Sequence, residues 1–382
     1  MSMKDVVIVG GGPAGCRVAG LMASGFDVTV LEEHGSSGIP MQCAGLITGD
    51  VIELSGVKPD ILNTLYGAEV VLPDGNSILA RSDTPKVYAV NRSDLDSRMA
   101  DFALSKGAEI LYNNKATKVS IERDHVAVEA SGKFTSRSIV GADGNRSLVS
   151  NTFFNNTAKE YLHGAQVDIE YRMERQDIMR INMGSRYAPG FFTWEVPCGD
   201  FTRVGLCVSS TEDYPFRYLN RFIDDMNYSD KVIKKYNGRI PLGGCKHIST
   251  DRCMLVGDAA CQVKPVSAGG LYPGLTAASI LSDILQNALE TNDLSASNLN
   301  KYDRICRNRF RKEFTTGSLL RHMLLRMSDE DLNAAGRYAN RESVRSVLDS
   351  ISLDTPSAIM GKVMRNPANV ITAIPLLMRC LF

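Results

Sequence analysis

Residues 5–32 read DVVIVGGGPAGCRVAGLMASGFDVTVLE, and this stretch decides the fold. Asp5 to Val9 is a short β-branched run that stops in Gly10-Gly11-Gly12-Pro13-Ala14-Gly15, and a helix-compatible segment continues to about Ser24. The pattern is strand, tight turn, helix. Gly10 permits the turn, Gly12 lets the backbone approach a pyrophosphate, and Gly15 lets the helix pack on the strand, with its amide-rich start facing phosphate charge. A second strand, Asp27 to Leu31, closes the βαβ unit and ends in Glu32, 17 residues after Gly15, where a carboxylate can accept hydrogen bonds from ribose hydroxyls. A Gly-rich turn beside an incidental surface carboxylate is the plainer alternative, and strands on both sides argue against it.

Further along, Ser138 to Val140 reads as a buried strand entering Gly141-Ala142-Asp143-Gly144-Asn145-Arg146-Ser147, and Met254 to Val256 as another entering Gly257-Asp258-Ala259-Ala260. Pro265, then Ala268-Gly269-Gly270, then an apolar-periodic helix over Leu271 to Leu289 follow. Val87 to Val90 is strand-like, and Asn91-Arg92-Ser93-Asp94 starts a helix with Ser93 or Asp94 as cap. In this order the elements resemble the FAD-containing hydroxylase and reductase superfamily typified by p-hydroxybenzoate hydroxylase. The resemblance implies an α/β fold: a Rossmann-like FAD-binding domain, an antiparallel β-sheet substrate domain and a C-terminal helical region. It implies FAD contacts at Gly10, Gly12, Ala14, Gly15, Glu32, Glu33, Arg92 (pyrophosphate side), Ala116 (adenine side), Asp258, Gly269, Gly270 and Leu271. Asp258, at a strand end, can hold ribityl hydroxyls. A helix starting after Gly269-Gly270 points positive peptide dipoles at the flavin edge that carries the charge of the reduced ring, which favours hydride donation from N5. The plainer readings are a helix cap for Asp258 and a surface cation for Arg92.

The 382 residues, 44% apolar and 23% charged, fit two to three interlocked folded domains, and 43 basic against 43 acidic residues leave no overall field for nucleic acid. The 9 Cys, without a CxxC pair, suggest neither a disulfide framework nor a zinc site, and predict a reducing, cytoplasmic setting with no metal. Met1 to Asp5 leads into too short an apolar run for a signal peptide, and no run of about 20 apolar residues predicts a spanning helix. The expected division is a discontinuous FAD-binding domain of residues 1–65, 91–155 and 240–290, a β-sheet substrate-binding domain of 66–90 and 156–239, and a helical, membrane-facing region of 291–382. Gly67 to Arg81 reads as a hairpin turning at Asp74-Gly75, and Val167 to Tyr171, Gly190 to Val196 and Arg203 to Val208 as strands of one antiparallel sheet capping the flavin. Lys301 to Met327 carries eight Lys or Arg (301, 304, 307, 309, 311, 312, 321, 326) against Asp303 and Glu313, interleaved with apolar residues at helical spacing. Either a solvated face or contact with anionic lipid headgroups explains it, and the apolar tail Val370 to Phe382 favours peripheral association with a membrane surface.

On the substrate side, alternation along Phe192-Thr193-Trp194-Glu195-Val196-Pro197 puts Phe192, Trp194 (the sole Trp) and Val196 on one face, an aromatic wall for an apolar ligand. This stretch resembles the Tyr-x-Trp-x-Phe-Pro element of geranylgeranyl reductases, with Phe192 for Tyr and Val196 for Phe. The loop Pro40-Met41-Gln42-Cys43-Ala44-Gly45-Leu46-Ile47 is similar to the Cys-containing loop of the archaeal members, and Gln262-Val263-Lys264-Pro265 with Ala268-Gly269-Gly270-Leu271-Tyr272 to another stretch of that family. The resemblance implies reduction of isolated C=C bonds in geranylgeranyl chains of archaeal membrane lipids, with FAD contacts also at Cys43, Ala44 and Gly45. Hydride from flavin N5 and a proton to the other carbon, in a dry aromatic tunnel, satisfy that chemistry. Cys43 and Tyr272 are the candidate proton donors, with packing as the alternative role of each. NAD(P)H or a ferredoxin supplies electrons, and no second nucleotide motif chooses between them. The rival activities are a flavin monooxygenase of an aromatic or quinone-like substrate and a polyprenyl-quinone side-chain reductase; a non-catalytic electron carrier lacks the Fe–S cysteine spacing it would need.

Overall fold

A β-branched strand can lie at the middle of a parallel sheet only if the chain between strands crosses back over it, and the glycine turn begins such a crossover. The structure is a computed structural model that describes residues 2–155, 158–209, 214–341 and Asp354. In it β1 (Lys4–Val9) lies between β2 (Val28–Leu31) and β11 (Lys133–Gly141), parallel to both. β8 (Glu109–Leu111) continues the sheet beyond β2, and β18 (Cys253–Leu255) with the short β17 (Ser249–Thr250) continues it beyond β11. β9 (Lys118–Ile121) and β10 (Val126–Glu129) form an antiparallel ribbon on the start of β11. All three strands that the sequence ends in Gly-Asp or glycine-rich turns, β1, β11 and β18, are thus neighbours, and their turns open at the same end.

Helices α1 (Pro13–Met22), α3 (Arg92–Ser105), α6 (Leu271–Glu290) and α7 (Ala296–Arg326) surround this sheet. Val7, Ile8, Val30, Ile139, Leu281, Leu285 and Tyr302 share its core. Gly15 explains how closely α1 approaches: a Cβ there would lie 2.1 Å from the Gly10 carbonyl oxygen. The short helices α2 (Gly49–Ser55) and α4 (Leu148–Phe153) follow β3 (Leu46–Ile47) and the Gly141–Ser147 turn. β3 and β4 (Ile61–Leu65) flank β7 (Val87–Val90) in a separate three-stranded sheet.

A second, seven-stranded sheet runs in the order β16 (Val232–Leu242), β12 (Glu160–Ile169), β15 (Thr202–Val208), β14 (Phe192–Pro197), β13 (Ile178–Met183), β5 (Gly67–Val71), β6 (Ser77–Arg81). The hairpin expected over Gly67–Arg81 is β5 and β6, with Gly75 at φ +85° in the turn. The expectation of an antiparallel sheet needs one correction: β5 and β13 pair in parallel, because the chain returns to β5 from a distant part of the molecule rather than through a hairpin. The strands also cut across the expected segment boundaries, since β7 joins the three-stranded sheet and β16 runs on to Leu242. Helix α5 (Pro215–Asp225) covers one face, setting Leu219, Phe222 and Ile223 against Ala165, Val167, Val204 and Leu206. Helix α8 (Asp329–Ala339) lies beyond the β6 edge, with Gly336 so near Leu72 that a Cβ would sit 2.1 Å from its Cδ1.

The basic stretch is α7, but Arg321 is not part of an outer face. It is buried and donates to Glu160, to the Gly190 carbonyl at 2.6 Å and to Ser209 Oγ at 2.6 Å, so it holds the helix to the seven-stranded sheet. The tail Val370 to Phe382 lies outside the described residues.

Gly15→Ala is expected to destabilise the protein by about 3 kcal/mol, the upper end of the cost of overpacking a tight contact. Denaturant unfolding measures it, and a loss below about 0.5 kcal/mol would show that α1 can move away from β1 freely.

Candidate active site

The glycine turn presents backbone rather than side chains. Gly10 has φ +103°, and a Cβ on it would meet the Ala142 carbonyl oxygen at 2.4 Å, whereas nothing lies within 4 Å of the Cβ position of Gly12. The start of α1 has no side-chain cap, so its amides are open to an anion. Glu32 ends β2 as expected, but it is already engaged: its Oε2 accepts from Gly11 N at 2.7 Å, and its Oε1 from His34 N at 2.8 Å. The His34 ring lies 2.7 Å from the same Oε1. These contacts fix the carboxylate and still leave it acceptor capacity. Glu33 instead faces outward and pairs with Lys115 at 2.5 Å, beside Ala116 in the loop between β8 and β9. Lys115 draws the Glu33 carboxyl below its ordinary range.

Arg92 is not a surface cation. It is 8% exposed at the start of α3 and grips Asp96, one turn on, at 2.9 and 3.1 Å. Burial works against its charge, yet Asp96 and the neighbouring Cys43 outweigh it and hold the guanidinium above its ordinary value. Cys43 therefore lies beside a fixed cation. Its loop is pinned from the other side by the seven-stranded sheet: Gln166 Nε2 donates to the Cys43 carbonyl at 3.4 Å, and Arg203 to the Ala44 carbonyl at 3.0 Å. Arg203 is in turn held by Asp168 at 2.8 and 3.2 Å, and Tyr236 donates to the same carboxylate at 2.8 Å. Gly45, φ +75°, completes the loop where a Cβ would strike the Val90 carbonyl at 2.6 Å.

Asp258 sits in a short 3-10 turn over Gly257–Ala260, directly under the start of α6. Its Oδ1 is 3.1 Å from where Gly270 would carry a Cβ. Among the described residues no side chain pairs with this carboxylate, and burial raises its pKa to about 6 even with Arg92 acting to lower it. The start of α6 at Gly270 also lacks a side-chain cap. An open helix start and an acceptor in want of donors, side by side, fit a flavin chain whose hydroxyls donate and whose reduced ring carries negative charge.

The strand register generates the opposite wall. Side chains alternate, so Ile78 and Ala80 of β6, Ala68 and Val70 of β5, Met179 and Ile181 of β13, and Phe192 and Trp194 of β14 share one face. Across β15, β12 and β16 the face continues through Cys207, Gly164, Gln166, Tyr236 and Gly238. Gly205 makes room for the indole, since a Cβ there would be 2.6 Å from Trp194 Cζ2. The Trp194 Nε1–H donates to Gln166 Oε1 at 3.2 Å, which links the aromatic wall to the Cys43 loop. This face, the glycine turn, Asp258 and the α6 start line one cavity of about 1520 Å³. That exceeds the usual range for a small ligand, roughly 300–1,000 Å³, and has room for a dinucleotide and a long substrate together.

Of the residues expected from sequence, Gly10, Gly12, Ala14, Glu32, Glu33, Cys43, Ala44, Arg92, Ala116, Asp258, Gly269, Gly270, Leu271, Tyr272, Phe192 and Trp194 line this cavity. Gly15 and Gly45 stand behind its wall in the turns just described. Val196 is a correction: it shares the face of Trp194 but is fully buried among Leu65, Val87, Ala89 and Met179, beyond the cavity's end. Tyr272 reaches the cavity, but its hydroxyl accepts from Arg309 Nη2 at 2.7 Å. Sequence reading missed Gln166, Arg203 and Asp168, none of which belongs to a local motif, and the Asp354 partner of Lys264.

The fold and this arrangement define an FAD-dependent oxidoreductase of the p-hydroxybenzoate hydroxylase type. A family model described as lycopene cyclase protein matches residues 5–334. Digeranylgeranylglycerophospholipid reductase 1 of Methanothermobacter thermautotrophicus is 30% identical, over 86% of this chain and 89% of its own. The digeranylgeranylglycerophospholipid reductase of Methanocaldococcus jannaschii is 29% identical, over 91% and 92%. A solved structure described as a geranylgeranyl bacteriochlorophyll reductase-like protein from Thermoplasma acidophilum superposes with a TM-score of 0.85 over 98% of this chain and 100% of that one, at 22% identity. The chain belongs to the family which that model describes and to the geranylgeranyl reductase family of FAD-dependent oxidoreductases.

Because the folded carboxyl of Asp258 has a pKa near 6, above the unfolded value of about 3.9, its ionisation opposes folding: stability from this site is present at low pH and falls as pH rises between those values. Asp258→Asn is expected to stabilise the cofactor-free protein at pH 7 by up to about 3 kcal/mol, and by much less near pH 4. Denaturant unfolding of apoprotein at the two pH values tests this; equal effects at both would contradict it.

Proposed function

We propose that the protein binds FAD between the glycine turn and the start of α6 and saturates isolated C=C bonds of geranylgeranyl chains in archaeal membrane lipids. The observation that carries this reading is the apolar face of β6, β5, β13 and β14, which continues without a break into the polar, glycine-lined end beneath the Cys43 loop. With about 4.8 Å between strands, the lane from β14 to β6 is roughly 14 Å long, which suits an extended isoprenoid chain rather than a single aromatic ring. The names of the reductases that this chain resembles point to the same lipid class.

In this reading Gly10, Gly12 and Ala14 lay backbone against the pyrophosphate, Glu32 accepts from ribose, and Asp258 accepts from the ribityl chain. Bound there, reduced FAD supplies the hydride. Phe192 and Trp194 exclude water and face their π-clouds toward the carbon that becomes electron-poor. The proton for the other carbon comes from Cys43 Sγ, beside the fixed Arg92 cation. Tyr272 is the second candidate donor: its oxygen accepts from Arg309, which leaves the phenol proton to give.

The outer end of the lane meets Ser82 and Lys86, where an anionic headgroup can be received. On α7 the exposed Ile305 and Leu319 stand among Arg304, Arg307, Arg311 and Lys312, which supports lodging against anionic lipid at a membrane surface. Among the described residues no helix is long and apolar enough to cross a membrane.

Two substitutions test the assignment. Under anaerobic conditions with dithionite-reduced enzyme, Cys43→Ser should lower turnover at least about tenfold while FAD stays bound, the scale expected for losing a general acid; unchanged turnover removes Cys43 from the reaction. Ala68→Phe narrows the lane. It should cut kcat/KM for a geranylgeranyl substrate about tenfold or more and spare a short prenyl alcohol; equal losses on both would mean that the chain does not lie along β5. Substrate-dependent oxygen uptake by the wild-type enzyme would favour a monooxygenase instead.

A further inference from the structure

Lys264 and Asp354 form an ion pair of 2.7 Å with side chains only 8% and 4% exposed, in the wall of the cavity. A buried pair of this kind gains little over apolar residues of the same volume, because desolvation of two charges offsets their attraction. Packing therefore leaves its presence unexplained. Its placement is informative. The Lys264 backbone is tied to the turn before α6, donating to the Gly269 carbonyl at 3.2 Å and accepting from Ala268 N at 3.0 Å. The lysine side chain lies against Gly269, with Cε 2.9 Å and Nζ 3.3 Å from where a Cβ would stand. The other oxygen of Asp354 accepts from Thr48. The ammonium thus lies against the turn that starts α6, held there by Asp354. Asp258 occupies the opposite flank of the same glycine pair, under Gly270.

We propose that Lys264, aimed by Asp354, is a positioning residue that adds a full positive charge to the α6 start and so favours the reduced, negatively charged form of the cofactor. The inference rests on the reading that FAD binds there. Uptake of two electrons and one proton leaves the cofactor one unit more negative, and a nearby cation stabilises that product over the oxidised form. The helix start supplies only about half an elementary charge. Without the lysine it would face the negative charge of Asp258 with little surplus.

The test is the two-electron midpoint potential of the bound flavin, measured by dye equilibration on the full-length holoprotein. Lys264→Met should weaken the preference for reduced over oxidised cofactor about tenfold, a fall of roughly 30 mV. Lys264→Arg should restore it. Asp354→Asn leaves the cation and removes its counter-charge, so it should move the potential upward. Opposite signs for the two neutralising variants mark a charge effect; loosened packing would move both the same way. A Lys264→Met protein that holds FAD at the wild-type potential overturns the proposal, and so does a fall in Asp354→Asn. Should Lys264→Met fail to fold, the sign in Asp354→Asn decides alone. A wild-type protein that takes up no FAD overturns the underlying reading instead, and the inference with it.

Discussion

Side-chain alternation kept in register across neighbouring strands is the constraint on which the site depends. A slip of one residue in any of β5, β6, β13 or β14 would turn Ala68, Ile78, Met179 or Trp194 away from the cavity and put Glu69, Leu79, Arg180 or Glu195 in its place. The pairing is held by features on the other face. Glu195 is buried there, accepting from Asn182 at 3.1 Å and from Tyr228 at 3.2 Å, and Arg180 reaches Glu69 at 3.1 Å. These polar contacts belong to one register only, so a shifted sheet would leave a buried carboxylate without donors. The register keeps these charged groups on the reverse side, and the lane stays apolar.

Charge is handled the same way throughout the cavity wall: each buried cation has an assigned anion, and the pair fixes a loop. Arg203 with Asp168 holds Ala44, Arg92 with Asp96 stands by Cys43, and Lys264 with Asp354 lies on the turn before α6. Asp258 is an exception, a carboxylate that no side chain contacts by hydrogen bond or ion pair among the described residues. Its raised pKa expresses the same fact from the side of the proton. A buried acceptor left wanting is where a ligand with donors is expected, and Asn145 Oδ1 on the same wall is a second one.

The parts of this site that were legible in the sequence are those in which residue type, spacing and backbone conformation are local. Gly10 and Gly15 declare a close approach that only glycine allows, and the strand before them confirms its direction. Asp258 and Gly269-Gly270 are read the same way. Period two correctly placed Val196 on the face of Trp194, but alternation says nothing about where a cavity stops, and Val196 lies past that point in the core. Arg321 counts as a basic residue of an amphipathic helix until Glu160, 161 positions away, is found against it. Gln166, Arg203 and Asp168 gain their roles from β12 pairing with β15 and from the Cys43 loop resting on both, which no spacing along the chain encodes. β13 and β16 escaped notice as strands for a similar reason: Arg180 and Asn182, or Lys234 and Lys235, interrupt the apolar pattern, and their place is decided by neighbours.

The seven-stranded sheet is open, and its two ends are treated differently. At β16, Ile233, Lys234 and Lys235 are exposed, so a second copy adding there would bring like charges together. At the other end Asp74 accepts a weak ion pair from Arg337 of α8 and its backbone N–H donates to Asn333, which screens the β5–β6 hairpin. A protein with an apolar cavity face and unpaired strand edges is at risk of polymerising through them. Lysine repulsion at one border and a helical bumper at the other let it keep a wide hydrophobic trough without becoming the seed of a fibril.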